Sequence, residues 1–238
     1  MKGIVLLTAA AVGYGAFSFG SWGDCVKGAG DPVKKDLTVA GFHGIHVMGS
    51  LSVELTQAAT QSVQVEGQPN LVDLVETTVD NGIWKIGTSK CYSTDKPFVV
   101  RINVPSIDRV AVMGSGDVKG KNQFGADKVD IDVQGSGDVS MTFNCKSLDA
   151  TVQGSGDIKL GGECQELVAT VQGSGDVKAV EMKSQRAMAT VTGSGDVTVA
   201  VIESLNAKVT GSGDVKYKGK PKEVKSSITG SGDVSELK

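Results

Sequence analysis

A four-residue motif, Gly-Ser-Gly-Asp, recurs along the second half of the chain and constrains its fold more than any other feature. A period near 19 residues is typical of a solenoid, in which each repeat is one coil stacked on the coil before it. The motif also accounts for much of the glycine content, because two glycines at each of seven corners make 14 of the 32 glycines. The copies follow at spacings of 21, 19, 19, 20, 18 and 19 residues, with first glycines Gly114, Gly135, Gly154, Gly173, Gly193, Gly211 and Gly230.

The residues around each motif alternate with a period of two, as the residues of a strand do. We number positions from the first glycine of each copy, which we call the corner glycine. Positions −2 and +4 are Val or Ile in all seven copies, whereas positions −1 and −3 are polar in six of the seven. This pattern predicts an all-β fold, a parallel β-helix or solenoid with about seven regular coils of 18–21 residues. Glycine is expected at each corner because the chain turns sharply there, close to the neighbouring coils.

Residues 26–113 carry a weaker version of the same alternation, and we interpret them as a degenerate N-terminal β region of worn coils and a hairpin. The run from Val47 to Val53 resembles a coil with an altered corner, and Asn81-Gly82 between two strand-like runs predicts a hairpin turn. The run from Asn70 to Glu76 predicts a short helical turn. Because no linker interrupts the sequence, we predict a single β-solenoid domain over residues 26–238, with its regular coils in residues 114–238.

The first twenty residues differ from the rest of the chain. Lys2 is followed by an uncharged, apolar or small stretch from Ile4 to Phe19, with the small residues Ala16 and Ser18 near its end. This layout predicts a secretory signal peptide over residues 1–20, and an uncleaved membrane anchor is the alternative. We therefore expect export across the inner membrane to the periplasm, the outer-membrane surface or the exterior, with no membrane span after signal cleavage.

Four sequence features in a fixed order resemble one bacterial family. They are Cys-x-x-Gly-x-Gly from Cys25 to Gly30, the run GFHGIHVMGSLSVELTQ, the run QVEGQPNLVDLVETTVDNGIWKIG, and the serial GSGDV motifs. The combination resembles the family described as the putative auto-transporter adhesin, head GIN domain. The resemblance implies a β-solenoid exported by Gram-negative bacteria and supplies no catalytic residues. Auto-transporters need a C-terminal membrane barrel, and only four residues follow the last GSGDV, so we expect no self-secretion.

The four cysteines form two candidate disulfides. Cys145 and Cys164 each lie nine residues before a corner glycine, so adjacent coils should stack them about 5 Å apart, within reach of a disulfide. Two buried free thiols are the alternative for this pair. Cys25 and Cys91 are the remaining candidates, although nothing in the pattern brings them together. No Cys-x-x-Cys spacing indicates a redox or zinc site.

The last residue of each motif predicts a column of carboxylates along the solenoid. Neighbours about 4.8 Å apart repel by roughly 0.9 kcal/mol in water, so some contact must offset the repulsion. One explanation is that each Asp closes its own turn, with lysines two residues later on the same face. The other is a ladder of calcium ions. The residues concerned are Asp117, Asp138, Asp157, Asp176, Asp196, Asp214 and Asp233.

Charge and composition narrow the function. A net charge of −3 argues against a general nucleic-acid binder. The chain has only two histidines and few aromatic residues, so it is poor in the residue types that catalytic sites and ligand pockets commonly use. We predict a non-enzymatic cell-envelope or secreted module, with a binding or adhesion surface for an unknown surface glycan or protein and no cofactor. The flat outward face of Gln and Thr side chains is one candidate surface. Alternatives are a structural or regulatory envelope module that self-associates through its coil ends and, less favoured, a polysaccharide-acting enzyme.

Overall fold

The computed structural model describes residues 25–237, which are mostly β-strand and form a parallel β-solenoid of about seven turns. The predicted all-β solenoid is therefore confirmed. The predicted signal peptide, residues 1–20, lies outside the described residues. Within residues 25–237, no helix has the length and hydropathy needed to cross a membrane.

Residues 25–237 form eighteen strands and one short helix. The N-terminal region contains β1 (Val26–Lys27), β2 (Val33–Leu37), β3 (Gly44–Gly49), β4 (Ser52–Gln57), β5 (Ser62–Gly67), α1 (Pro69–Val72), β6 (Val79–Asp80), β7 (Ile83–Ile86), β8 (Tyr92–Ser93), β9 (Val99–Val104) and β10 (Arg109–Gly114). The regular coils contain β11 (Val118–Gly135), β12 (Val139–Gly154), β13 (Ile158–Gly173), β14 (Val177–Gly193), β15 (Val197–Gly211), β16 (Val215–Lys218), β17 (Glu223–Gly230) and β18 (Val234–Glu236).

Long strands β11 to β15 stack in parallel with their corner glycines in register. Gly154, for example, is paired with Gly135 on one side and Gly173 on the other. Register shifts fall in the first half or the middle of the strands, for example between Lys119 and Gln123 and between Ser184 and Arg186. Differences in repeat length are therefore absorbed away from the corners, which keeps every corner aligned.

The interior of the coils is built from columns of equivalent aliphatic side chains. Val152 and Val171 at position −2, and Val177 and Val197 at position +4, are completely buried. Burial of one such side chain contributes about 1.5–3 kcal/mol relative to exposure, so each coil adds several such contributions to the core. The predicted alternation is therefore confirmed at these positions, because the side chains predicted to face inward are buried.

Each corner brings the backbones of adjacent coils very close together. Gly173 has a φ of +136°, and a Cβ on it would lie 2.3 Å from the carbonyl oxygen of Gly154. A Cβ on Gly175 would lie 2.0 Å from the carbonyl oxygen of Gly156. The amides of Ser174 and Gly175 both donate to the Gly154 oxygen, at 2.8 and 3.1 Å. The predicted need for glycine is confirmed, and stacking as well as turning imposes it.

Strands β3 and β4 form the altered coil predicted around residues 47–53. Gly49 pairs with corner glycine Gly114, and Val53 pairs with Val118 after the corner. The predicted hairpin is also present, because β6 and β7 are antiparallel and the turn residues Asn81 and Gly82 have φ values of +50° and +76°. The predicted helical turn is α1, although it begins at Pro69 and ends at Val72.

The N-terminal region departs from a simple succession of coils in two ways. Strands β7 and β9 lie beside β3 and β4 on the side away from the regular coils, although the chain reaches them later. The chain then passes to β10, on the opposite side of β3. In addition, β5 runs antiparallel to both β2 and β9. The prediction of degenerate coils and a hairpin is therefore incomplete for this region, because antiparallel strands close this end of the solenoid.

Candidate functional site

The aspartate column is held by hydrogen bonds between coils. In six successive pairs, an Asp carboxylate oxygen accepts the backbone N–H of the equivalent Asp on the next coil, at 2.8–3.1 Å. Asp176, for example, accepts the amide of Asp196 at 2.9 Å. The predicted capping of each residue's own turn is wrong in detail, because the capped amide belongs to the neighbouring coil. Strict register places that amide beside the carboxylate.

Two lysines bridge consecutive carboxylates in this column. The ammonium group of Lys178 contacts Asp157 and lies 3.2 Å from Asp176, and the Asp157 hydrogen bond is the main cause of its raised pKa. Lys216 bridges the next two carboxylates in the same way, at 3.3 and 3.2 Å. No cluster of three or more His, Cys, Asp or Glu residues in the described range is arranged to hold a metal ion. Backbone amides and lysines thus offset the carboxylate repulsion that motivated the calcium hypothesis.

Cys145 and Cys164 stack in register on adjacent coils, but both are buried free thiols. The predicted bridge is absent because equivalent side chains on parallel strands point the same way. Their Cβ atoms then keep a strand spacing of about 4.8 Å, whereas a disulfide needs about 3.8 Å. Burial raises the pKa of Cys145 to about 11 and that of Cys164 to about 12. Such thiols are unreactive at neutral pH.

Cys25 and Cys91 form the disulfide of the N-terminal region. Their Cα atoms are 4.8 Å apart, and 66 residues separate them along the chain. Next to the bridge, β1 pairs with β8, and Val26 donates its amide to the Cys91 carbonyl at 2.9 Å. The bridge therefore attaches the first strand described here to the closed end of the solenoid.

The predicted Gln and Thr face lies on the outside of the regular coils, at positions −1 and −3. It is flat and exposed at position −1. The face has an acidic edge at position −5, where Asp149 pairs directly with Asp130. Asp149 is exposed, yet its partial desolvation by neighbouring residues, together with Asp130, raises its pKa. The side chains that form this face are Gln134, Gln153, Gln172, Thr151, Thr170, Thr190, Thr192, Thr210 and Thr229.

A concavity of about 790 Å³ lies over the N-terminal strands β2, β5, β9 and β4. Strand pairing aligns one row of polar side chains across it, because Asp36 pairs with Gln64, Gln64 with Arg101, and Arg101 with Glu54. Asn103, two residues after Arg101 in β9, also lines the concavity. We call this surface the polar concavity and define it by Asp36, Glu54, Gln64, Arg101, Asn103 and Lys121.

Side chains in the polar concavity hold one another in place. Arg101 donates from Nε to Glu54 at 3.1 Å, and it also contacts Glu66. Lys121 donates to the other oxygen of Glu54 at 3.2 Å, and this hydrogen bond lowers the pKa of Glu54. Glu54 is therefore ionised at neutral pH, and the arginine and carboxylates are oriented before any ligand arrives.

Amide groups complete this surface. Gln64 donates to Asp36 at 2.9 Å, and Asn103 donates to the Ser62 hydroxyl at 2.8 Å. The polar concavity is not predicted by the sequence pattern. Alternation identifies these residues as facing outward, but it does not say that β2, β5 and β9 are neighbours. That neighbourhood arises from antiparallel pairing, for which the sequence carries no repeat signal.

Comparison with solved structures supports this fold. A putative adhesin from Bacteroides fragilis is 27% identical to this chain, with a TM-score of 0.84, and the match covers 89% of this chain and all of that one. A putative lipid binding protein from Parabacteroides distasonis is 23% identical, with a TM-score of 0.74. A putative adhesin from Parabacteroides merdae is 22% identical, with a TM-score of 0.73. The last two matches each cover 90% of this chain and all of the other.

No curated protein matches the chain. A family model matches residues 41–221, which include most of the N-terminal region and six of the seven Gly-Ser-Gly-Asp motifs. The chain therefore belongs to the family described as the putative auto-transporter adhesin, head GIN domain.

Proposed function

We propose that the protein is a non-enzymatic binding module, exported to the bacterial cell envelope or beyond, that attaches to a surface glycan through the polar concavity. The observation that carries this proposal is the oriented row of carboxylate, amide and guanidinium groups on a rigid sheet. Binding groups on strands are held more precisely than groups on loops. Their fixed orientation reduces the ordering that a ligand must impose on binding.

The chemistry of the lining favours a sugar over an apolar ligand. Carboxylates, amides and guanidinium groups offer planar pairs of donors or acceptors, which suit the adjacent hydroxyl groups of a pyranose. Arg101 carries five N–H donors, of which its contacts with Glu54 and Glu66 use only part. A protein partner with a polar surface is the second ligand class that this lining would accept.

Binding rather than catalysis is the role that the charges of this surface support. A general acid must be protonated near neutral pH, whereas the hydrogen bond from Lys121 lowers the pKa of Glu54. The names of the relatives point the same way, since the family and two of the structural relatives are described as putative adhesins. One relative is named for lipid binding, at 23% identity. Export rests on the signal peptide predicted over residues 1–20.

A glycan array with the purified protein tests this proposal. We expect selective binding to a small set of glycans, and we expect the double variant Gln64→Ala/Asn103→Ala to weaken it at least about fivefold, since each lost hydrogen bond contributes roughly 0.5–1.5 kcal/mol. The matched control is Gln153→Ala/Gln172→Ala on the Gln and Thr face, which should bind as the unmodified protein does. Loss of binding in the control alone would move the site to that face. Absence of binding to any glycan would contradict the proposal.

Assembly through coil ends is a second candidate role, favoured by β17. All eight residues of this strand are exposed, and within residues 25–237 it pairs only with β15. Val224 and Ile228 occupy inward positions, yet they are 40% and 44% exposed. A second copy pairing along this edge would bury them, since an unpaired edge invites strand addition. Analytical ultracentrifugation should then show an oligomer that Val224→Lys/Ile228→Lys disrupts; a monomer at all concentrations would contradict this role.

A further inference from the structure

Three lysines occupy alternate positions from the last residue of β16 through its connection to β17. Lys218, Lys220 and Lys222 are all exposed, and none of them forms an ion pair with another described residue. We call residues 218–222 the basic loop. Its charge contrasts with the net charge of −3 of the whole chain, so it is a local positive patch on an acidic protein.

The lysines on either side of the basic loop are neutralised. Lys216 contacts Asp196 and Asp214 at 3.3 and 3.2 Å, and Lys225 contacts Glu223 at 2.8 Å. These ion pairs neutralise the positive charges of Lys216 and Lys225. Among residues 25–237 the three lysines of the basic loop have no such partner, so their charge is available to an external anion.

An exposed apolar side chain lies beside the basic loop on the preceding coil. The loop stacks closely on that coil, because Lys222 donates its amide to the Glu203 carbonyl at 2.8 Å and a Cβ on Gly219 would lie 2.3 Å from the Val201 oxygen. Ile202 lies between these two contact points and is 48% exposed. This part of the solenoid surface therefore combines one exposed aliphatic side chain with three lysines that have no ion-pair partner among the described residues.

We propose that the basic loop and Ile202 bind the surface of a bilayer rich in anionic phospholipid. Each lysine close to such a surface tightens binding about fivefold, and the attraction decays within the Debye length. An aliphatic side chain gains by entering the boundary between headgroups and acyl chains, while neighbouring lysines keep their ammonium groups at the phosphates. An acidic polysaccharide would use the lysines but would have no apolar layer for Ile202. This surface is separate from the polar concavity and goes beyond the proposed glycan binding.

Co-sedimentation with vesicles tests the proposal. We expect the full chain to bind vesicles of phosphatidylglycerol mixed with phosphatidylcholine, to release them as salt rises, and to ignore vesicles of phosphatidylcholine alone. The triple variant Lys218→Gln/Lys220→Gln/Lys222→Gln should bind about 100-fold more weakly, because three lysines each contribute about fivefold. Ile202→Ser should weaken binding while preserving its dependence on salt. Thermal melting of each variant establishes that the fold is retained.

A matched control separates a local patch from general charge. The variant Lys119→Gln/Lys159→Gln/Lys208→Gln removes the same charge from exposed lysines elsewhere on the coils and should bind vesicles like the unmodified protein. Equal loss of binding in both triple variants would overturn the proposal. So would binding of the protein to polygalacturonate without binding to anionic vesicles. The Gln64→Ala/Asn103→Ala variant should still bind vesicles, so failure of glycan binding and failure of vesicle binding are distinguishable.

Discussion

The altered coil at Gly49, which is the first coil with a corner, and the regular coils place a glycine at equivalent corners. Neighbouring backbone crowds that corner only in the regular coils. In the regular coils, a Cβ on the second glycine would lie about 2 Å from a backbone oxygen, as at Gly175, where the distance is 2.0 Å. In the first coil, a Cβ on Gly49 would have nothing within 4 Å, and Leu51 occupies the place of the second glycine. The coil beneath it has no matching corner, because residues 87–98 connect β7 and β9 there. The second glycine is therefore a requirement of stacking rather than of the turn.

The largest expected effect comes from filling a stacked corner. Gly175→Ala should destabilise the protein by at least about 3 kcal/mol, because the new methyl group meets backbone that cannot move aside. Chemical denaturation measures the change. The control is Gly125→Ala in β11, where a Cβ would meet open space and the change should lie within about 1 kcal/mol. Equal stabilities for the two variants would contradict a stacking requirement.

Removal of the N-terminal disulfide should have the next largest effect. The double variant Cys25→Ser/Cys91→Ser opens a loop with a sequence separation of 66 residues, which corresponds to about 4 kcal/mol at most in the chain-entropy model. Because stability in a solenoid is carried by nearest-neighbour contacts, the loss should be confined to the closed end. Hydrogen exchange should accelerate in β1 and β8 and stay unchanged in β13. Equal acceleration in β13 would show that the two regions unfold as one unit.

The aspartate column tests how neighbouring coils are joined. Asp176→Ala removes the acceptor of the Asp196 amide and should cost about 2 kcal/mol, as expected for a hydrogen bond to a charged group. Asp176→Asn keeps an oxygen acceptor and should cost less. Thermal melting with and without calcium completes the test, since amide capping predicts no shift. A calcium-dependent rise in the melting temperature would restore the calcium hypothesis.

A smaller effect is expected at the first coil. Gly49 has a φ of +82° without crowding, so Gly49→Ala should cost only the strain of that conformation, about 1 kcal/mol. Gly173 has a φ of +136°, which alanine adopts less readily, and a Cβ there would also meet the Gly154 oxygen, so Gly173→Ala should cost clearly more. If the two substitutions cost the same in denaturation, the turn itself would be the source of the glycine requirement.

The smallest effect concerns like charges that strict register brings together. The pKa of Asp149 is raised by partial desolvation and by Asp130, so the folded state favours its protonated form, and this contribution to stability is lost as pH rises through the folded pKa. Asp149→Asn should therefore stabilise the protein by about 0.5 kcal/mol at neutral pH. The gain should disappear below the usual carboxyl pKa of 3.8. A gain that persists in acid would indicate a cause other than charge.

Much of the regular region follows from local pattern. The columns at positions −2 and +4 identify interior residues such as Val152 and Val177, and both are buried. The same pattern placed Cys145 beside Cys164 correctly, yet it failed to predict their oxidation state. That outcome depends on the direction of two side chains, whereas the repeat specifies only which residues are neighbours.

The closed end and its polar concavity were not predictable in this way. The individual strands around Gln64 and Arg101 alternate visibly, but their pairing is antiparallel and does not follow chain order. A repeat predicts which strands are neighbours, because each copy stacks on the next. The pairing of strands that are not repeated depends on long-range packing, which the local sequence does not show. The Cys25–Cys91 bridge belongs to this second class.

Sequence alone determined the solenoid, its period, its interior columns and its glycine corners, because a repeated unit that cannot bury its own apolar face must stack on its copies. Tertiary structure decided which amide each aspartate caps, which cysteines are joined, and where polar groups converge in a concavity. These outcomes depend on distances of a few ångströms between residues far apart in the chain, and no local pattern encodes such distances.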